Sequence, residues 1–519
     1  MEIRIHPLWV QLTLAALGAL AGLALCALRR RPEAPARARA LRAVDRALPA
    51  LAAASAIGFA LSASPQQFVK TWDVEHSVLG AKYARELGYF RIYRCVLALD
   101  ATGAGHFAAI ASASDLRQPT GTLPRAELLR GEDCAARFTP ERRREFLADL
   151  DFFQRLPDQP LRQLWFADNG YNQTPFFTLL VGPALGHAPL RYATLLGLAL
   201  VDPLLIALAL GMALRAFGAR VGLVAAAFFL TEVPNQWNVM GGSILRFGYV
   251  SLAVLGACAL ARGRARSAGV AFGAATLFQV FPGIYPAALA LWAGLRRLRG
   301  EAFPAWLPGL LGAFAATLAA GVALSAAVVG PGAWGEFAAK IALHTRILSL
   351  YRIGLEPAVV LDHFLSPAPD YDYATALADL AARAPLHAAC VAVLGLAALA
   401  LAPRRGAHVF AGTALAVALA ALTPVHYYFA ALVLLLLVDR ADAEGPAWAA
   451  SASALFAWSA AGYASLLATD SRAFTNSAVL SAGLVVALSI HLAAFHAERR
   501  PARAGEPRRR PGPDAAALV

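Results

Sequence analysis

No C-x-x-C and no H-E-x-x-H spacing occurs anywhere in the 519 residues, which removes the usual frames for a structural zinc and for a zincin site. No internal repeat is evident either, so an inverted-repeat transporter gains no support from sequence symmetry. Charge is scarce: Asp, Glu, Lys and Arg make up 15% of the chain against 59% hydrophobic residues, a balance that excludes an ordinary soluble domain. What remains is a polytopic membrane protein with apolar runs along nearly its whole length. Basic residues outnumber acidic ones 46 to 33. The arginines cluster between and after apolar runs, where they orient a chain in a bilayer, so nucleic acid is not an expected partner.

Those clusters set the expected topology. Arg29, Arg30, Arg31, Arg37, Arg39, Arg42 and Arg46 lie between the first two apolar runs, placing that loop in the cytoplasm and the N-terminus outside. The run Pro7 to Leu28 has no convincing small-residue cleavage site and reads as a retained helix. Leu48 to Ala63 then returns outward. Further crossings are expected at Leu190 to Leu214, Val221 to Val233, Leu245 to Leu260, Trp306 to Val329, Leu386 to Leu401, Val409 to Leu422, Phe429 to Val438, Ala447 to Leu467 and Ser477 to Phe495. Between Arg266 and Arg296 each leg has room for about half the roughly 20 residues of a full span. With Pro282 and Pro286 at its middle, that stretch predicts a short re-entrant hairpin.

The expected fold is thus all-α, with about 11 to 13 transmembrane helices including the hairpin, and a large first external loop. The divisions are 1–63 (two helices and a basic cytoplasmic loop), 64–174 (external loop), 175–329 (helices, with the hairpin at 267–295), 330–384 (second external loop), 385–496 (C-terminal helices) and 497–519 (a basic, proline-rich, disordered cytoplasmic tail). Cys26, Cys258 and Cys390 fall in membrane segments. Cys95 and Cys134 are the only two in the first external loop, where an oxidising side permits them to pair; two buried free thiols are the alternative.

The stretch T-W-D-V-E-H-S-V-L-G-A-K-Y-A-R-E-L-G-Y, Thr71 to Tyr89, gathers carboxylates, a histidine and a lysine just beyond the second apolar run. Ionisable groups at the rim of a membrane are costly and point to chemistry on something lipid-borne. If Asp73 to Leu87 is helical, Asp73, His76, Gly80 and Tyr83 share one face, and Glu75 and Lys82 share roughly the opposite one. There Glu75 and Lys82 can pair with each other or with a neighbouring loop. The bland alternative is a set of charges that solvate a helix end.

From Trp72 to Asp100 the chain resembles the first external loop of polyprenyl-phosphate-sugar-dependent glycosyltransferases of the GT-C superfamily, with an acidic residue after the opening helices and G-A-K-Y-A-R-E-L-G-Y behind it. A-D-N-G-Y-N-Q-T-P-F-F (Ala167 to Phe177), G-G-S-I-L-R-F (Gly241 to Phe247), F-Q-V-F-P (Phe278 to Pro282) and T-P-V-H-Y-Y (Thr423 to Tyr428) are similar to later segments of that group, in the same order. Two positions depart from it. Gln279 stands where a lysine or arginine precedes the hairpin proline, and Arg352 where an asparagine precedes the pair Gly354-Leu355.

The resemblance implies a membrane glycosyltransferase of mannosyltransferase type acting on the outer face of the inner or plasma membrane in cell-envelope synthesis. The donor would be a sugar on polyprenyl phosphate and the acceptor a hydroxyl of a lipid, glycan or protein. Such a donor carries its own leaving group, so the enzyme needs one base and several cations. Asp73 is the expected base and Glu75 the reserve, with His76 orienting either or taking the proton itself; direct displacement would invert the anomeric centre. Arg246 is expected on the lipid phosphate, helped by Lys82, His344, Arg346 and His426, since arginine matches phosphate oxygens in a fork. Snorkelling to headgroups explains Arg246 equally well, and an interfacial helix explains His344 and Arg346 slightly better. Tyr83, Asp168, Asn169, Tyr171, Asn172 and Tyr427 are expected around sugar or acceptor. No cofactor is implied: Asp73 with Glu75 can hold a divalent metal, but no complete ligand set is visible. The rival readings are a ligase or polymerase using lipid-linked glycans, a non-catalytic envelope-assembly protein, and a transporter.

Overall fold

A computed structural model describes residues 7–31, 34–63, 68–119, 121–130, 133–156, 162–187, 189–348, 351–365, 373–469 and 473–498. The basic tail expected from 497 lies outside the described residues beyond Glu498. Among the described residues the fold is all-α, apart from one two-stranded antiparallel ladder that pairs Ser112 with Pro124.

Among the described residues, five helices are long and apolar enough to cross a membrane: Leu8–Arg30, Pro35–Leu61, Tyr192–Phe217, Leu307–Val329 and Thr475–Ala497. A sixth is the bent pair Ala374–Ala382 and Ala384–Leu399, broken by 63°. The chain is a multi-pass membrane protein. Other expected crossings fall on shorter apolar helices, among them Ala219–Thr231, Gly248–Ala261 and Ala407–Leu422. Sequence punctuation cuts them short: Ala407–Leu422 stops at left-handed Thr423, ahead of Pro424. The stretch expected as a hairpin forms two 14-residue helices, Ala265–Phe278 and Ile284–Arg297, around the 3-10 turn Phe281–Gly283 that contains Pro282.

Small residues bring these helices together, since lipid provides no hydrophobic drive for helix association. Pro7–Arg30 lies along Pro446–Ala468, where a Cβ on Gly22 would stand 2.7 Å from the Ser453 backbone nitrogen, and the Ser453 hydroxyl donates to the Ala19 carbonyl at 2.8 Å. Gly18 and Gly22 thus form a G-x-x-x-G notch. Gly269 and Gly273 form a second, facing Leu310, Phe314 and Thr317 on Leu307–Val329.

The long segment between the second and third long helices folds into its own small helical unit. Its main helices are Thr71–Lys82, Ile92–Asp100 and Pro140–Gln154, the last capped by the Thr139 side chain, which accepts from the Arg142 N–H, and opened by Pro140. A disulfide joins Cys95 to Cys134. Closing a loop of 39 residues contributes about 4 kcal/mol by loop entropy. The single helix considered for Asp73 to Leu87 is interrupted: it ends at Lys82, Tyr83 leaves helical geometry at φ −116° and ψ 30°, and one more turn, Ala84–Leu87, follows.

Candidate active site

Asp73 sits in the first turn of Thr71–Lys82, where a carboxylate suits the helix dipole. Its Oδ2 accepts hydrogen bonds from the Ser243 hydroxyl and from the Arg246 guanidinium, 170 and 173 residues away. Both charged side chains are largely buried, 19% exposed for Asp73 and 12% for Arg246. Burial alone would raise the Asp73 carboxyl; the Arg246 and Lys70 charges and the two hydrogen bonds outweigh it and hold the group at about 2. Lys70 has its own burial to contend with, which brings its ammonium down to about 8 against the support of Asp73. Its Nζ donates to the Val239 carbonyl at 2.6 Å, and its backbone N–H to Gly242 at 3.0 Å.

The turn carrying Ser243 and Arg246 is tightly constrained. Gly242 adopts φ 73°, and a side chain there would strike the Phe68 carbonyl. Leu245 is one of two non-glycine residues with positive φ among the described residues, at 54°. Asp202, from the helix Val201–Phe217, accepts the backbone N–H groups of Arg246 at 2.9 Å and Phe247 at 3.0 Å, the two residues that lead into the helix Gly248–Ala261. The Arg246 guanidinium lies over the Tyr427 ring, 4.8 Å from its centre.

The segment around Tyr427 leads to a second polar cluster. The His426 N–H donates to Tyr351 at 2.7 Å, and Val425 bridges to Arg352. Arg352 donates to the Thr423 carbonyl at 2.9 Å and to the His344 carbonyl. His344 Nε2 is 2.9 Å from Asn172 Oδ1. Burial first, then the charges of Lys340 and Arg352, hold the His344 imidazole down at about 3, so it is neutral and its ring N–H donates to the amide oxygen. Arg352, which departs from the glycosyltransferase pattern, therefore ties the Thr423–Tyr428 segment to the end of the helix Ala333–His344. Tyr428 donates to Gln279 at 2.8 Å, so the second departing residue also meets this segment.

Other expected site residues are placed differently. Lys82 is not beside the Asp73 cluster: its ammonium is buried 2.7 Å from Asp149, which also accepts from the Tyr83 hydroxyl at 2.7 Å and the Leu190 N–H at 3.2 Å. Lys82 and Tyr83 thus hold the loop unit together, and Lys82 pairs with a neighbouring helix rather than with Glu75. Tyr171 is also interior, its ring against Gly80 and its hydroxyl 2.6 Å from Thr178. His76 is stacked on Trp165 at 4.6 Å, bonded to the Tyr93 hydroxyl at 3.0 Å and 4.0 Å from Asp168. Burial in this aromatic setting lowers its affinity for a proton. Glu75, Asp168 and Asn169 are partly exposed, and Arg346 is exposed on the turn after His344.

Asp73, Ser243, Arg246 and Tyr427 therefore meet from three distant stretches, with His426 adjacent. Ser243, Lys70 and Asp202 were not singled out from sequence. Ser243 lies inside the G-G-S-I-L-R-F segment and Lys70 immediately before T-W-D, so their neighbourhood was legible and their partners were not. A carboxylate, an arginine and an aromatic face can bind an anion and handle one proton. No protein-family model, no curated protein and no solved structure matches the chain.

Proposed function

We propose that the chain is a GT-C-type membrane glycosyltransferase that moves a sugar, mannose being the first candidate, from polyprenyl phosphate to an acceptor hydroxyl on the periplasmic face, with inversion. On this reading the shorter apolar helices complete a bundle of 11 to 13 crossings, the N-terminus and site lie outside, and the C-terminus lies in the cytoplasm. The observation that carries it is the buried pair of Asp73 and Arg246, with the guanidinium over the Tyr427 ring.

A carboxylate held at about 2 is a feeble base. The donor phosphate corrects this by competing for the same guanidinium. When Arg246 turns its fork to two phosphate oxygens, Asp73 loses its strongest partner and its proton affinity rises. The acceptor oxygen then attacks the anomeric carbon, its proton passes to Asp73, the bond from that carbon to the phosphate oxygen breaks, and polyprenyl phosphate leaves paired with Arg246. Ser243 stays on the carboxylate and aims it. On this reading His426 and the neutral His344 would contact the sugar or the phosphate by hydrogen bonding. Basicity is thereby coupled to donor binding, which protects the site from idle proton exchange.

The test is transfer of radiolabelled sugar by purified wild type and Asp73→Asn from a panel of polyprenyl-phosphate monosaccharides, beside an oligosaccharide-pyrophosphate lipid. Transfer from the first donor class, lost in the variant, supports the proposal. Turnover of the oligosaccharide donor alone turns the reading to a glycan ligase, and equal turnover by the variant removes Asp73 as base. No turnover of any donor by wild type favours an assembly or transport role.

A further inference from the structure

Ahead of the Ser243–Arg246 turn in the chain stands an acidic residue that the proposed reaction does not use. Glu232 follows the helix Ala219–Thr231, is fully buried, and begins a turn that continues through the 3-10 residues Val233–Asn235 to Gln236. Among the described residues no arginine, lysine or histidine pairs with it. One carboxylate oxygen, Oε2, accepts from Asn235 Nδ2 at 2.7 Å; the other, Oε1, is buried and has no hydrogen-bond partner.

The two amides of the turn have the same deficit. Asn235 Nδ2 also donates to the Phe229 carbonyl at 3.0 Å, and Gln236 Nε2 donates to the carbonyls of Leu230 and Glu232, both at 3.2 Å. Each amide nitrogen thus faces two oxygens, so neither amide can be turned round without setting oxygen against oxygen. Their own oxygens, Asn235 Oδ1 and Gln236 Oε1, are left buried and unpartnered. The Tyr463 hydroxyl, also buried without a partner, lies within electrostatic reach of Glu232. Three side chains of one turn therefore present acceptor oxygens that no described residue satisfies, one of them on a carboxylate. Arrangements of this kind are rare in interiors because each orphan keeps its full desolvation cost.

A proton on Glu232 would cancel the charge but supply a single donor for three acceptors. A cation answers all three. Oxygen-only ligands select a hard ion. Charge decides its valence: one carboxylate neutralises one monovalent ion, whereas a divalent ion would leave a net positive charge in a fully buried position. We infer that Glu232, Asn235 and Gln236 hold a monovalent cation of the sodium class, bound by Glu232 Oε1, Asn235 Oδ1 and Gln236 Oε1.

The consequence is local order. The turn is pinned where the Val233 N–H donates to Ser459 at 3.1 Å and the Trp237 N–H to Ser62 at 2.9 Å, and it runs on into the constrained turn that carries Ser243 and Arg246. A bound ion at its start would stiffen that presentation. The inference is independent of the glycosyltransferase reading, and its readout is stability rather than turnover.

The experiment melts the full chain in detergent in sodium chloride and in equal concentrations of choline chloride, keeping ionic strength fixed. A ligand that binds only the folded state raises the melting temperature with its concentration. Wild type should melt a few degrees higher in sodium, saturably, and Glu232→Gln should melt alike in both salts. Gln236→Met, which loses one amide oxygen, should need roughly tenfold more sodium for half the effect. Equal melting of wild type in the two salts overturns the inference even if neither variant folds. A sodium response retained in Glu232→Gln, or an unchanged midpoint in Gln236→Met, overturns it as well.

Discussion

Lys82 Nζ and Asp149 Oδ2 stand 2.7 Å apart with both side chains 1% exposed, 67 residues apart in sequence. Removing one partner of such a pair leaves a buried charge uncompensated, a cost of about 3–5 kcal/mol. Lys82→Met should therefore lower the melting temperature of the full chain markedly, and whatever protein remains folded should keep the wild-type donor KM. A variant of unchanged stability and raised KM would return Lys82 to the phosphate.

Arg246→Gln should move the acid limb of the pH profile. In the free protein Arg246 is the foremost influence opposing burial at Asp73, so its loss raises the carboxyl above the value of about 2. The free-enzyme group governs kcat/KM, so the acid limb of kcat/KM should appear at higher pH in the variant, together with a KM for the donor increased at least about tenfold. An unmoved limb would uncouple the two residues.

Asp73→Asn should reduce transfer by on the order of 10²–10⁴, the range for loss of a general base, with donor binding retained because Arg246 is then free to take the phosphate. Binding is measured by competition with an unreactive polyprenyl phosphate and turnover by labelled sugar. Lost binding with normal residual chemistry would make Asp73 a positioning group for Arg246 instead.

His344 predicts the direction of acid sensitivity. Its imidazole is lowered from 6.5 to about 3 in the folded chain, so the unfolded state takes up a proton first as pH falls. Its contribution to stability is fully present above about 6.5 and is lost as pH drops from there toward 3. Melts across that window should decline less steeply in His344→Gln, whose amide can still donate to Asn172. Parallel curves for the two proteins would show that the ring does not titrate in that window.

Reduction of the Cys95–Cys134 bridge should destabilise the loop unit by about 4 kcal/mol. The checks are a mobility difference on non-reducing gels, abolished in Cys95→Ser, and a lower melting temperature in reductant. Equal melting with and without reductant would leave the bridge without a stabilising role.

The all-α, multi-pass character was legible in one dimension because apolar runs are local signals. The break at Pro282 was legible from the prolines at the turn, while the two helices around it run to 14 residues each, longer than the half-span expected. Crossing lengths were less readable, because a run such as Val221 to Val233 gives no warning that its helix stops at Thr231 and that Glu232 within it is a buried turn residue. The site was visible as fragments. Asp73, Arg246 and Tyr427 each lie in a recognisable segment, but a pairing across 173 residues has no periodicity. The supposed common face of Asp73, His76, Gly80 and Tyr83 failed as a site because aromatic partners from distant helices bury His76 and Tyr83 separately, and Tyr171 fills the space above Gly80.

Asp202 grips Arg246 by its main chain, leaving only the side chain beyond the α-carbon at liberty. Exchange of the guanidinium between a carboxylate and an incoming anion is therefore a matter of rotamers rather than of shifting helices. Rotamer changes of this kind need no microsecond-to-millisecond displacement of helices. Capture would then be paced by lateral diffusion of the ligand, and viscous or gel-phase membranes would slow the protein before any change within it could.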